Sequence, residues 1–146
     1  MNLRQDQRRG ERGNVAMILA LTLPMLLAFG ALTIDLGNFW RVKTELQNAA
    51  DAAALAGVRQ LNGQASQYPI AIKAAHDVGA RHTADGTALN LTAGQNLELG
   101  NWNYNTRAFT ADAGGMPAPQ VNAVRATARR NAVEGAPVST FLASTF

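Results

Sequence analysis

The chain has 146 residues, a formal net charge of +3 at pH 7 and no cysteine. This length accommodates one small soluble domain at most, and the lack of cysteine excludes a disulfide framework, a cysteine-ligated zinc site and thiol chemistry. The basic residues after residue 59 are scattered along the sequence, which argues against nucleic-acid binding.

Residues 1–13 are polar and lack periodicity, so they predict a short tail. The tail has arginines at positions 4, 8, 9 and 12 against Asp6 and Glu11, whereas the twenty residues after Ile34 carry only Arg41 and Lys43. Basic residues that flank a membrane span stay on the cytoplasmic side. The asymmetry therefore predicts a cytoplasmic N-terminus and a C-terminal part outside the membrane.

Residues 14–36 are the predicted transmembrane helix. Val15 to Ile34 are twenty residues without a charge, and a helix of that length spans about 30 Å, the thickness of the bilayer hydrocarbon. A buried core helix and a cleaved signal peptide are the alternatives. The run exceeds the apolar region of about 7–15 residues that signal peptides have, although Ala28–Ala31 resembles a cleavage site. Pro24 is compatible with a membrane helix.

The same helix is predicted to continue outside the membrane over residues 37–61, because no strong breaker occurs before Asn62-Gly63. Phe39 and Trp40 fit the aromatic belt at the membrane surface. One face of this extension contains mostly small residues, which let another backbone approach closely; the helix preference of alanine is the other explanation. The predicted helix-packing face consists of Ala49, Ala50, Ala53 and Gly57, with Phe39, Leu46 and Ala56 on the same side.

Residues 62–146 predict a small α+β domain that includes a second helix and a short antiparallel sheet. The helix is predicted over Tyr68–Thr83, ended by Asp85-Gly86. Alternating apolar residues predict the strands. These are Leu89 and Leu91; Leu97 and Leu99 continuing to Trp102 and Tyr104 after a bulge near Gly100; and Val124, Ala126 and Ala128. Residues 113–119 are a predicted loop, and residues 138–146 the start of another helix.

No set of residues predicts catalysis or a cofactor. His76 and His82 are six positions apart, so on a helix they point to different faces and do not share a metal. No serine lies in a nucleophile-elbow pattern, and Gly114-Gly115 lacks the lysine of a phosphate loop. For Trp102 and Tyr104, packing is favoured over a binding surface. We therefore expect no enzyme activity, no metal, no cofactor and no small-molecule substrate.

Several segments resemble the N-terminal region of TadG-like proteins, of the TadE/TadG group associated with Tad (Flp) pilus assembly. They are residues 12–17, Leu23-Pro24, Thr33–Gly37 and above all the alanine-rich Leu46–Ala56. Residues 97–102 and 122–128 also look similar. The resemblance implies a single-pass protein of the bacterial inner membrane with a pilin-like periplasmic domain. Its implied partners are the lipid bilayer and other pilus-assembly proteins or pilins.

The chain departs from this group at two points. Tad pilins and TadE-like pseudopilins have a glutamate shortly after the peptidase cleavage site, and aligning Leu23-Pro24 places Ile18 there. Larger TadG-like proteins continue into a von Willebrand factor type A-like domain with a metal site. This sequence lacks that domain, so it resembles a short or truncated member.

The predicted function is that of a structural or assembly component of a Tad-type pilus. A processed minor pilin or pseudopilin built into the filament, or a membrane-tethered binding module, are the alternatives.

Overall fold

The computed structural model describes residues 4–130 and 137–140, with side chains described from residue 14 onward. The first element, α1, is an α-helix over Arg4–Val58. The chain divides into two compact units, Met1–Phe39 with Thr140–Phe146 and Trp40–Ser139. Helix α1 contributes residues to both units, so the predicted long helix is present as one continuous element, which begins at Arg4 and ends at Val58 rather than at residue 61. The predicted boundaries at residues 13, 36 and 61 stay predictions.

In the first unit, α1 is apolar from Val15 to Ile34, and the large side chains of this stretch are exposed. Pro24 lies inside the helix without ending it. Two threonine hydroxyls donate to carbonyl oxygens of the preceding turn, Thr22 to Leu19 at 3.4 Å and Thr33 to Phe29 at 2.8 Å. Each hydroxyl is thereby satisfied within the helix, as expected for threonine in an apolar environment.

The second unit adds a second helix, α2, over Tyr68–Gly79, preceded by a 3₁₀ turn at Ala65–Gln67. Proline at the second position of α2 suits a first turn, where its missing N–H is not needed. Five short strands follow: β1 (Thr83–Ala84), β2 (Thr87–Ala88), β3 (Leu97–Asn103), β4 (Ala108–Ala111) and β5 (Ala123–Ala126). Another 3₁₀ turn, Ala118–Gln120, precedes β5.

The strands form two antiparallel sheets among the described residues. Strands β1 and β2 make a hairpin, and a three-stranded sheet has the order β4-β3-β5. Trp102 pairs with Phe109 on one side of β3, and Leu99 pairs with Val124 on the other. The α+β class, with a long helix, a second helix and a short antiparallel sheet, is confirmed. The pilin-like arrangement stays a prediction.

The core of the second unit lies where α1, α2 and the sheet meet. One cluster contains Val42 and Ala49 of α1 with Ala84 and Leu89, and a second contains Ala53 of α1 with Ala75, Leu91 and Leu97. Several of these positions are alanines without exposed surface. Because alanine side chains are short, the backbones of the packed elements approach closely and the core contains few large side chains.

The predicted end of the second helix was wrong. Helix α2 ends at Gly79 rather than near Thr83, and Asp85-Gly86 is the turn of the β1–β2 hairpin. Asp85 has φ 52° and Gly86 has φ 73°. Two consecutive positive φ values define a type I′ turn, for which Asp-Gly is a preferred pair. The dipeptide therefore reverses a hairpin instead of ending a helix.

Several strand predictions also need correction. Leu89 and Leu91 are buried but lie outside the strands, and β3 runs through Gly100 without the predicted bulge. Strand β4 was not predicted, and Tyr104 lies beyond β3 with 79% of its surface exposed, so it does not pack as expected. The strand predicted at Val124 is confirmed as β5. Residues 138–140 are not helical, and residues 141–146 lie outside the described residues.

Candidate functional site

The apolar half of α1 exposes its large side chains. The large apolar residues from Val15 to Ile34 are between 55% and 72% exposed. Among the described residues, one helix is long and apolar enough to cross a membrane, and 6% of its most apolar window is buried. A soluble protein's core helix would be mostly buried, so this interpretation does not fit. A signal sequence passes the same composition test, but α1 continues through Ala28–Ala31 without interruption.

The part of α1 that belongs to the second unit begins with an aromatic ring beside a cation. Trp40 is 59% exposed, and the Lys43 Nζ lies 5.0 Å from the centroid of its ring. Tryptophan beside lysine is typical of a helix that leaves the bilayer at the level of the lipid headgroups.

The predicted helix-packing face is covered by residues of the same chain. Ala49 and Ala53 are fully buried, and Ala50 is half-buried. A Cβ added at Gly57 would lie 3.1 Å from the Ala71 carbonyl oxygen and 3.2 Å from Val124 Cγ2. The absence of a side chain at residue 57 therefore lets α1 approach both α2 and β5. Of the neighbouring residues predicted for this face, Phe39 is 46% exposed, whereas Val42, which was not predicted, is buried.

A polar network connects α1, the β1–β2 hairpin and the segment near residue 139. Arg41 pairs with Glu45 at 2.6 Å and with Asp85 at 3.1 Å, and the Asp85 N–H donates to the second Glu45 carboxylate oxygen at 2.9 Å. The backbone N–H and the hydroxyl of Ser139 both donate to Asp85 Oδ2 at 2.9 Å. Arg130 donates to the Ala84 carbonyl oxygen.

The network changes the acidity of Asp85. The hydrogen bonds from the Ser139 backbone and hydroxyl, together with the positive charges of Arg130 and Arg41, lower the pKa of Asp85. The sequence predicted the Arg41–Glu45 pair from its spacing of four residues, and this pair is confirmed. The contacts of Asp85 were missed because their partners lie 40 or more residues away along the chain.

The outer face of the sheet carries an aromatic and charged cluster. Arg125 lies over the Phe109 ring, 4.5 Å from its centroid, and its Nε donates to Glu98 at 2.7 Å. A Cβ added at Gly100 would lie 2.7 Å from Phe109 Cζ, so this ring lies directly against the glycine. The glycine thus provides room for the ring across strands β3 and β4. Neither Phe109 nor Arg125 was singled out from the sequence.

An open groove, called here the edge groove, runs between α1 and the three-stranded sheet. One wall consists of Ala50, Asp51 and Ala54 of α1, and the other of residues 123–126 of β5 with Trp102 and Phe109. The groove has a volume of about 420 Å³. Trp102 is 36% exposed and pairs across strands with Phe109, so it packs on the sheet and also lines the groove.

Two further carboxylates, Asp112 and Asp77, have structural contacts. Asp112 accepts the backbone N–H groups of Met116, Gly114 and Gly115, and these hydrogen bonds lower its pKa. Lys73, followed by His76, lowers the pKa of Asp77 by hydrogen bonding. The described residues contain no group of three or more histidine or acidic side chains that could hold a metal ion.

Comparison with known proteins matches part of the chain to a protein family. Residues 13–60 match the model of the Tad family of Flp pilus-assembly TadE/G-like proteins. The matched region contains the apolar span and the small-residue face of α1, and it confirms the resemblance to the TadE/TadG group. Residues 97–102 and 122–128 lie outside the match, so their resemblance stays a prediction. No curated protein and no solved structure matches the chain significantly.

Proposed function

We propose, from the TadE/G-like match of residues 13–60, that the chain is a membrane-anchored structural or assembly component of a Tad (Flp)-type pilus biogenesis system. This match is the observation that carries the proposal. It includes both the apolar span and the helical segment that packs into the second unit, so it joins the anchor to the first part of the folded domain.

The proposed location is the bacterial inner membrane, crossed once by residues 14–36. The exposure of the large apolar side chains in this span supports burial in lipid. The four arginines of the tail support a cytoplasmic N-terminus and a periplasmic domain over residues 37–146. Trp40 and Lys43 then lie at the periplasmic surface of the bilayer.

The proposed partners are the lipid bilayer and other pilus-assembly proteins or pilins. The buried alanines of α1 are covered within the chain, so a partner protein contacts other surfaces of the second unit or the apolar span. The role is non-enzymatic, since the family is one of pilus assembly and the polar clusters of the described residues have structural contacts.

The test is genetic and biochemical in a bacterium that encodes the chain. Deleting the gene should abolish surface filaments, and the full chain should restore them. A matched variant, in which an unrelated membrane helix replaces residues 14–36, separates simple anchoring from a specific role of the span. Normal filament numbers after deletion would contradict the proposal.

Fractionation distinguishes the alternative of a minor pilin. An assembly component should remain in the membrane fraction after filaments are sheared from the cells. Recovery of the chain in the sheared filaments would instead assign it to the processed pilins or pseudopilins.

A further inference from the structure

Strand β5 is an edge strand that borders the edge groove. In the sheet order β4-β3-β5, its paired neighbour among the described residues is β3. A sheet edge exposes backbone N–H and C=O groups that can pair with another extended chain. An edge strand beside a groove therefore has both the hydrogen-bonding groups and the space for an added strand.

The register shows which backbone groups of β5 are not used in pairing with β3. The Thr127 N–H donates to the Asn96 carbonyl oxygen at 2.8 Å. In an antiparallel pair, hydrogen-bonded and non-hydrogen-bonded positions alternate. Arg125, opposite Glu98, is therefore hydrogen-bonded to β3, whereas the N–H and C=O groups of Val124 and Ala126 point away from it. No described residue pairs with these outward groups.

The opposite wall of the groove is suited to a strand. Ala50 and Ala54 are small and half-buried, so they leave space for the side chains of an inserted segment. The exposed Asp51 makes no ion pair with a described residue. Arg125, the cation on the other wall, is already held by Glu98 at 2.5 Å. The charge left unmatched in the groove is therefore negative.

We propose that the edge groove binds an extended polypeptide segment of a partner protein, which adds to β5 as a fourth strand. The segment pairs with the outward groups of Val124 and Ala126, directs small or branched apolar side chains toward Ala50 and Ala54, and carries a basic residue near Asp51. This is strand addition, in which backbone hydrogen bonds supply affinity and alternate side chains supply selectivity. It goes beyond the role in pilus assembly and does not depend on it.

The probe for this site is the blocked peptide Ac-Val-Thr-Val-Lys-Val-Thr-NH₂, titrated against the full chain in detergent micelles. Amide hydrogen exchange is measured by NMR. We expect protection of the Val124 and Ala126 amides to rise about tenfold or more at about 1 mM peptide, since an added hydrogen bond protects an amide from exchange. No change at these two amides would overturn the proposal.

The other edge of the sheet is an internal control. By the same alternation, Phe109 and Ala111 of β4 point their amides away from β3. These amides should exchange at an unchanged rate. Equal protection at both edges would show unselective strand pairing and would count against a site in the groove.

Two changes test the mechanism of binding. The fully N-methylated peptide keeps every side chain, but it cannot donate to the Val124 and Ala126 carbonyl oxygens, and its methyl groups prevent close approach of the two backbones. It should therefore not protect either amide. Asp51→Asn should weaken binding of the lysine peptide about two- to fivefold, as expected for the loss of an exposed charge pair. The same substitution should not change the binding of a peptide that has glutamine in place of lysine. Equal binding of the methylated and unmethylated peptides would overturn the proposal.

A variant of the chain gives an independent measurement. Val124→Pro removes an outward N–H that β3 does not use, a position where an edge strand tolerates proline. The β3 amides should remain protected while peptide binding is lost. Protection of Val124 and Ala126 that increases with protein concentration, without peptide, would identify a second copy as the occupant and contradict the proposal of a different partner.

Discussion

Asp85 and Ser139, 54 residues apart in sequence, are joined by two hydrogen bonds to one carboxylate oxygen. The same side chain pairs with Arg41 of α1. Asp85 thereby connects the helix, the hairpin turn and the segment near residue 139 within the second unit. Because its φ is positive, the position favours asparagine, aspartate or glycine. The local backbone and the hydrogen-bond network therefore both favour aspartate at residue 85.

Asp85→Asn tests the charge of this network without changing the turn, because asparagine suits a type I′ turn at least as well as aspartate. The pKa of Asp85 is lowered in the folded chain, so its contribution to stability is complete above about pH 4 and is lost as the pH falls through the lowered value. We expect the variant to be less resistant to protease at neutral pH and to lose less resistance upon acidification.

The control for this experiment is Asp51→Asn, which removes a carboxylate that is exposed and forms no ion pair with a described residue. It should reproduce the acid profile of the unchanged chain. A parallel loss of resistance in the Asp85 variant and the unchanged chain at low pH would show that the charge of Asp85 does not contribute.

The sequence predicted what depends on local composition. Twenty residues without a charge define an apolar helix by themselves, and the alternation around Val124 predicted β5. Asp85-Gly86 was ambiguous, since the pair can end a helix or reverse a hairpin, and only the pairing of Thr83 with Ala88 decides between them. Strand β4 has four residues with little alternation of apolar and polar side chains, and its pairing with β3 stabilises it.

The candidate site was less predictable than the fold. The small residues of α1 indicated close packing, but Phe109, Arg125 and Asp85 have contacts across strands or across long separations in the chain. No local period in the sequence encodes such contacts. The edge groove in particular follows from the order of the strands, which a single sequence does not specify.

The orientation can be tested by cysteine labelling, because the chain contains no native cysteine. A thiol reagent that does not cross membranes should label Gln64→Cys in intact spheroplasts but not Gln5→Cys. The basis is the excess of arginine before the span. Labelling of both variants after the cells are lysed is the control, and the reverse pattern in intact spheroplasts would place the second unit in the cytoplasm.

The N-terminal tail is expected to be retained. The resemblance places Ile18 where processed pilins have a glutamate, so we expect no cleavage. The intact mass of the chain in membranes should equal that of the full sequence, apart from removal of Met1. Ile18→Glu is the informative variant, since it restores the missing carboxylate. A mature species that begins at Asn14 in the unchanged chain would favour the pilin alternative.

The small-residue face of α1 should be intolerant of a large charged side chain. Ala53 is fully buried against Ala75, Leu91 and Leu97, so Ala53→Arg places a charge in a tight apolar contact. The expected loss in the free energy of unfolding is several kcal/mol, on the order of 3 kcal/mol or more, because burying an unpaired charge is costly. Membrane insertion should be unaffected, since it depends on residues 15–34.

Asp51→Arg is the matched control, two positions away on the same helix but exposed. Substitutions at exposed positions usually change stability by about 0.5 kcal/mol or less. Limited proteolysis of the second unit in detergent reports stability, and carbonate extraction of membranes reports insertion. We expect Ala53→Arg to lose protease resistance and assembly function, and Asp51→Arg to retain its resistance. Equal resistance of the two variants would show that the close approach of α1 to α2 and the sheet does not stabilise the domain.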